Sequence, residues 1–123
     1  MSNITVELLE EIADAFNRKD VDKIIDYFSE DGEFYLARGP HPHGQRFKGK
    51  AEIRQGLKDR FAAVADIQWT EGKHWVMGDK ALSEFHVRGK TTAGQPIDCL
   101  GCDLWEFQDG KVLKKDTYYK QID

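Results

Sequence analysis

One aspartate in this chain shares a strand face with two large aromatic residues and a glycine. The stretch Gln95–Tyr119 reads QPIDCLGCDLWEFQDGKVLKKDTYY. It holds two strand-like runs, Ile97–Phe107 and Lys111–Tyr119, on either side of Gln108-Asp109-Gly110. Alternation along the first run puts Cys99, Gly101, Asp103, Trp105 and Phe107 on one face and Leu100, Cys102, Leu104 and Glu106 on the other. A carboxyl group among apolar neighbours has a penalised anion and a tunable proton, which is what acid–base chemistry requires. The same Asp tied to a cross-strand cation would instead be a structural ion pair.

The turn at Asp109-Gly110 sets the cation. A type I turn with a bulge at Gly110 brings Lys115 opposite Asp103, with Thr117 and Tyr119 on the same face. A two-residue turn shifts the register by one and presents Lys114 and Asp116 there. With the bulge, Asp103 and Lys115 form either a proton-transfer couple in a cavity or an ion pair at its mouth. In the preceding run, Lys80–Lys90, alternation groups Leu82, Glu84, His86 and Arg88. A four-residue turn at Thr92–Gln95 puts that set on the Asp103 face. There His86 can serve as base or acid, or be merely hydrogen-bonded, and Arg88 can contact a substrate.

Two other motifs invite a metal or redox reading. Cys99 and Cys102 read CLGC, but three residues apart on a strand they leave opposite faces, and no second Cys pair exists. They are expected to be two small buried hydrophobes that never pair. The loop Arg38–Lys48 carries His41-Pro42-His43, flanked by Arg38 and Arg46. It reads as a surface or lid loop, with no metal and no cofactor expected.

The elements that must position these residues follow from periodicity. Thr5 caps a helix with Leu8, Ile12 and Phe16 on its apolar side, and Asp20 caps a second with Val21, Ile24, Ile25 and Phe28. Ser29–Gly32 reads as a turn, Glu33–Ala37 as a short strand and Gly49–Ala63 as a third helix bearing Ile53, Leu57 and Phe61. Ile67–Met77, Lys80–Lys90 and the two runs of the opening stretch complete four strands joined by hairpin-like turns. This order predicts an α+β fold, three N-terminal helices packed on one face of a curved antiparallel sheet. Leu100, Cys102 and Leu104 would then be apolar on the far face, which predicts a homodimer through it.

The 123 residues form one domain, 1–123, with a net charge of −4, 40% hydrophobic and 33% charged residues. That balance gives no general attraction to nucleic acid or an anionic membrane. No apolar run approaches the ~20 residues of a membrane helix, and MSNITVELLEE lacks the regions of a signal peptide, so the cytoplasm is the expected location.

The chain resembles the nuclear transport factor 2-like superfamily, a cone-shaped, cystatin-like α+β fold. Within it the chain is similar to the ketosteroid isomerase and SnoaL-like polyketide cyclase branch. The segments that carry the resemblance are Asn17–Asp22 into Tyr27–Gly32, Phe47–Ile53 and Asp103–Val112. The resemblance favours the bulged final turn. It also implies that Asp103, in the pattern Asp-x-x-x-Phe, matches an acid donating to an enolate oxygen. The family's general base falls here on Leu36, and its oxyanion Tyr on Ile12 or a close neighbour. Steroid isomerisation by that mechanism is therefore not expected. The fold implies a cavity lined by Phe16, Phe34, Leu36, Trp75, Trp105 and Tyr119 that takes a small apolar molecule. Asp103, His86 and Lys115 would be its catalytic groups in a cofactor-free isomerase, cyclase, dehydratase or hydrolase. The alternative is a non-catalytic binding or dimeric interaction module.

Overall fold

Thr5 starts the first helix, α1 (Val6–Asn17), its Oγ1 accepting from the Leu8 amide at 3.1 Å. Leu9, Ile12, Ala15 and Phe16 form the buried stripe. Lys19 takes a left-handed backbone (φ 57°), and Asp20 then caps α2 (Val21–Tyr27) by accepting from the Lys23 amide. The computed structural model describes residues 3–123. Among these, no helix is long and apolar enough to cross a membrane.

Phe28 leaves the helix and opens β1 (Phe28–Tyr35). The predicted turn at Ser29–Gly32 is thus part of a strand, but an irregular one. Phe28 pairs with Val112 and Glu33 with Lys114, so the residues between them bulge out of the ladder. Within the expected loop Arg38–Lys48 a short strand, β2 (Arg46–Lys48), pairs antiparallel with β1, Phe34 facing Phe47. Then come α3 (Lys50–Ala63), β3 (Gln68–Met77), β4 (Lys80–Lys90), β5 (Pro96–Gln108) and β6 (Lys111–Tyr119). All three helices fall within the first 63 residues, but the β1–β2 hairpin separates α2 from α3.

The six strands form one sheet in the order β2-β1-β6-β5-β4-β3. It is mixed, not antiparallel as expected, because β1 runs parallel to β6. Both of β1's edges are thereby hydrogen-bonded, one to β2 and the other to the last strand of the meander. The helices cover one face. Leu9, Ile12, Phe16, Ile24, Ile53 and Leu57 pack there against Phe34, Trp105, Phe107 and Val112. A smaller cluster, Val64, Ile67, Phe85 and Val87, closes the other end.

The final hairpin combines features of both predicted registers. Asp109 (φ 51°) and Gly110 (φ 79°) both have positive φ, as a type I′ turn requires, and Gln108 pairs with Lys111 across it. That two-residue turn alone would have exposed Lys114 and Asp116. However, Glu106 pairs with Lys114 while Phe107 pairs with Val112, so Leu113 is an extra residue in β6. This bulge, not one at Gly110, returns Lys115, Thr117 and Tyr119 to the Asp103 face.

Gly101 is where β5 passes closest to its neighbours. A Cβ there would lie 2.7 Å from the Tyr118 carbonyl oxygen and 2.7 and 2.8 Å from the Tyr119 and Phe85 rings. Backbone on one side and two large rings on the other leave nothing to yield cheaply. Gly101→Ala is expected to lower the unfolding free energy by about 1–3 kcal/mol through overpacking, read as a lower urea midpoint at unchanged slope. An unchanged midpoint would contradict this packing.

Candidate functional site

The sheet's pairing aligns one row of polar side chains across its helix-covered face. His74 on β3 pairs with Ser83 on β4, Ser83 with Asp103 on β5, and Asp103 with Thr117 on β6. In the next row Ala81 pairs with Trp105, Trp105 with Lys115 and Lys115 with Phe34. Asp103 therefore faces Thr117 directly and meets Lys115 on the diagonal. Such a diagonal is well within the reach of a lysine.

These side chains bond to one another. Lys115 Nζ donates to Asp103 Oδ1 at 3.0 Å and to Thr117 Oγ1 at 2.9 Å, and Thr117 Oγ1 donates to the same Oδ1 at 2.6 Å. Asp103 is 6% exposed and Lys115 5%. The ammonium also lies 4.7 Å from the Phe34 ring centroid, 4.9 Å from Phe16 and 5.5 Å from Trp105. Three ring faces replace part of the hydration it loses. Beside this triad, Ser83 Oγ accepts from Trp105 Nε1 at 2.9 Å and meets His74 Nδ1 at 2.7 Å. Burial pushes the His74 imidazole below its ordinary value, against opposing pulls from Glu10 and Asp103. A neutral ring at neutral pH follows, with one ring nitrogen free to accept a proton. Among the described residues the fully buried polar or charged side chains are Ser83, Asp103, Lys115 and Thr117, and all four sit in this patch.

Two small hollows open on it. One, about 50 Å³, is bounded by His74, Ser83, Asp103, Trp105 and the α1 residues Leu9 and Ile12. The other, about 30 Å³, lies toward Phe34, Leu36, Arg60, Thr117 and Tyr119. Phe16, Trp69 and Lys115 line both and divide them, the Phe16 and Trp69 rings meeting edge to face at 5.8 Å. Asn17 holds Trp69 in place: its Oδ1 accepts from the Trp69 amide at 2.8 Å and its Nδ2 donates to the Trp69 carbonyl at 2.9 Å. Burial pushes the Tyr119 phenol up, with the nearby Arg60 guanidinium opposing.

Of the residues expected to line a cavity, Phe16, Phe34, Leu36, Trp105 and Tyr119 do so, together with Asp103 and Lys115. His86, Arg88 and Trp75 border neither of these two; His86 instead borders a wider, more open hollow of about 450 Å³ with Glu71, Lys73, Leu100, Cys102 and Tyr118. Lys90 pairs with Pro96, so the β4–β5 loop is the five residues Thr91–Gln95 and not the four expected. One added residue flips β4, turning Ser83 and Phe85 inward and His86 and Arg88 outward. On the outer face His86 bridges Asp98 and Glu71, Arg88 joins the same cluster, and His86 holds the Asp98 carboxyl below the usual range. Trp75 is 47% exposed beside Leu82, because a bulge at Glu71-Gly72 separates its part of β3 from that of Trp69. Glu71 sits there at φ 57°. An acidic residue before Gly in mid-strand was the available signal that Trp69 and His74, not Trp75, would face in.

Cys99 and Cys102 are free, and burial pushes both thiols up. His41 and His43 are exposed and stacked on each other at 5.2 Å. No group of three or more His, Cys, Asp or Glu side chains placed to hold a metal occurs among the described residues.

The lowered His74 value has a measurable consequence. Below about pH 6.5 the unfolded chain binds a proton that the half-buried ring disfavours, so this ring's contribution to stability falls as pH is lowered through that window. Between pH 7.5 and 5.5, His74→Gln is therefore expected to lose less unfolding free energy than the parent protein, measured by urea denaturation at both values. Equal losses would mean that His74 is not held neutral by the fold.

Comparison with known proteins agrees with this architecture. The model of the SnoaL-like domain family matches residues 9–114. A candidate polyketide cyclase from Xanthomonas campestris superposes with a TM-score of 0.81 at 22% identity, covering 93% of this chain and 88% of that one. A nuclear transport factor 2-like protein of unknown function from Burkholderia pseudomallei gives 0.83 at 16%, covering 98% and 92%. A hypothetical protein with a ketosteroid isomerase-like fold from Catenulispora acidiphila, in complex with trimethylamine, gives 0.81 at 19%, covering 95% and 87%. No curated protein matches the chain. At these identities the solved structures speak for the fold alone, which is that of a nuclear transport factor 2-like protein, while the family model covers most of the chain: it belongs to the SnoaL-like domain family.

Proposed function

We infer that the protein binds a small, mostly apolar molecule beside Lys115 and moves a proton on it without a cofactor, as an isomerase, cyclase, dehydratase or hydrolase. The observation that carries this is the gathering of the fully buried polar side chains into one hydrogen-bonded patch against aromatic hollows. A lysine ammonium has three N–H donors and no acceptor. Two are engaged by Asp103 and Thr117, which leaves one for a carbonyl oxygen. Asp103 accepts two donors on Oδ1 and so stands as an acceptor. The donor role that the family resemblance gives to Asp103 therefore passes to Lys115. His74, neutral and bordering the hollow with Asp103, is placed to take the proton; it replaces His86 in this reading.

A second reading, passive binding or a packed interaction module, draws on the size of the hollows. About 30 and 50 Å³ hold only a few waters. Asp103, Lys115 and Thr117 already satisfy one another. A panel of cyclohexanone, cyclopentanone and γ-butyrolactone separates the two. Binding is expected to quench Trp69 and Trp105, and should survive in Trp75→Phe, whose deleted ring lies outside. In D2O, exchange of the cyclopentanone α-protons followed by NMR should be catalysed, and should fall about 100-fold in Lys115→Met. Quenching without exchange would leave a passive binder, and neither effect would leave the packed module.

The outer face supports a homodimer. Leu100, Leu104, Tyr118 and Trp75 are each about half exposed on the side away from the helices. Static light scattering at micromolar concentration is expected to give about twice 14.1 kDa. A clean monomer would sink this assembly.

A further inference from the structure

Resting on the reading that the inner hollows bind a small molecule, we propose that this molecule is an acid, held by its carboxylate between Arg38 and Arg60 at the cavity mouth. The chain has six arginines. Four are ion-paired: Arg18 with Asp14, Arg46 with Glu33, Arg54 with Asp22 and Arg88 with Glu71. Among the described residues the other two, Arg38 and Arg60, make no salt bridge, and both line the smaller hollow. Lys115 is the third charged group on that wall, and no carboxylate stands among its lining residues. Lys115 is already paired with Asp103, but in a chain with 22 acidic and 18 basic side chains two guanidiniums without a counterion on one wall run against the overall balance.

The backbone of each arginine is held by the element that carries it. Arg60 lies in the last turn of α3, where a cation suits the helix dipole. Its guanidinium is near the Tyr119 phenol, whose proton affinity it lowers against the effect of burial. Arg38 sits in the loop between β1 and β2, its carbonyl accepting from the Gln45 amide at 2.9 Å. The remaining lining is apolar: Phe34, Leu36, Leu57, Phe61 and Trp69. A guanidinium fork matches a carboxylate with two parallel N–H donors, and does so more strongly against an apolar wall than in water. The ligand this fits has a carboxylate at the mouth and a short apolar body a few heavy atoms long. Its far end can carry a carbonyl oxygen for Lys115.

The matched probes are 4-oxopentanoate with its neutral methyl ester, and hexanoate with methyl hexanoate. Titrations followed by protein NMR shifts at low salt give the affinity ratio within each pair. Each acid is expected to bind at least 10-fold tighter than its ester, with the preference shrinking as salt is raised. It should drop below about 2-fold in Arg60→Gln and weaken in Arg38→Gln, whose exposed position makes it the safer variant for folding. Esters that bind as tightly as the acids would overturn the proposal while leaving the small-molecule site standing. An acid preference that persists in both variants would overturn it too, because the anion would then be held elsewhere. If neither acids nor esters bind at millimolar concentration, this proposal and the reading it rests on fail together.

Discussion

Taking a lysine and an aspartate out of water together costs several kcal/mol per ion, and their attraction offsets that only with good geometry and filled hydrogen-bond positions. Lys115 and Asp103 meet both conditions. The ammonium has an anion, a hydroxyl and three aromatic faces around it, and the carboxylate oxygen has two donors. Removing either partner would leave a buried charge unpaired. The pair therefore constrains everything near it. Thr117 must lie directly across from Asp103, Phe34 beside Lys115, and Phe16 must reach down from α1 to close the box.

Those demands are met by irregularities in the strands. The extra Leu113 in β6 turns Lys115 and Thr117 inward after a two-residue turn that would have turned them out. The bulge at Glu71-Gly72 lets Trp69 and His74 both face in although they are five residues apart. Bulges bend strands and re-aim side chains, and a cavity under a sheet needs both effects. Each is a single-residue event with a consequence for a whole face. The bulk of the fold, the capped helices and the paired strands, makes the platform, while these two local departures from regularity decide what it carries.

Charge separates the two faces of the sheet in different ways. Outside, His86 and Arg88 sit among Glu71 and Asp98 in one cluster in which each polar group has a partner. Inside, Lys115 has its counterion, whereas Arg38 and Arg60 at the mouth have none. Arg60 is the half-buried one of the two, and a guanidinium beside apolar rings without a counterion keeps hydrogen-bonding capacity for a ligand. The family's fold leaves such details open, since the same frame hosts unrelated activities and only the side chains in the cone distinguish them.

Much of this was legible in the residues alone. Helical spacing and caps located α1, α2 and α3, and alternation located β3 to β6 and put Asp103, Trp105 and Phe107 on one face of β5. These are local rules with a short reach, so the sequence determined them. Tertiary structure decided the parallel pairing of β1 with β6, which joins residues about 80 positions apart. It also decided the five-residue β4–β5 loop and the bulge in β3. The loop and the bulge settled that His74 and Ser83 face inward and His86, Arg88 and Trp75 outward. The physical reason is the period of two. A strand's face depends on whether a residue count is odd or even, and a single residue placed in a loop or a bulge reverses it, whereas burial of the whole core chooses between the two counts.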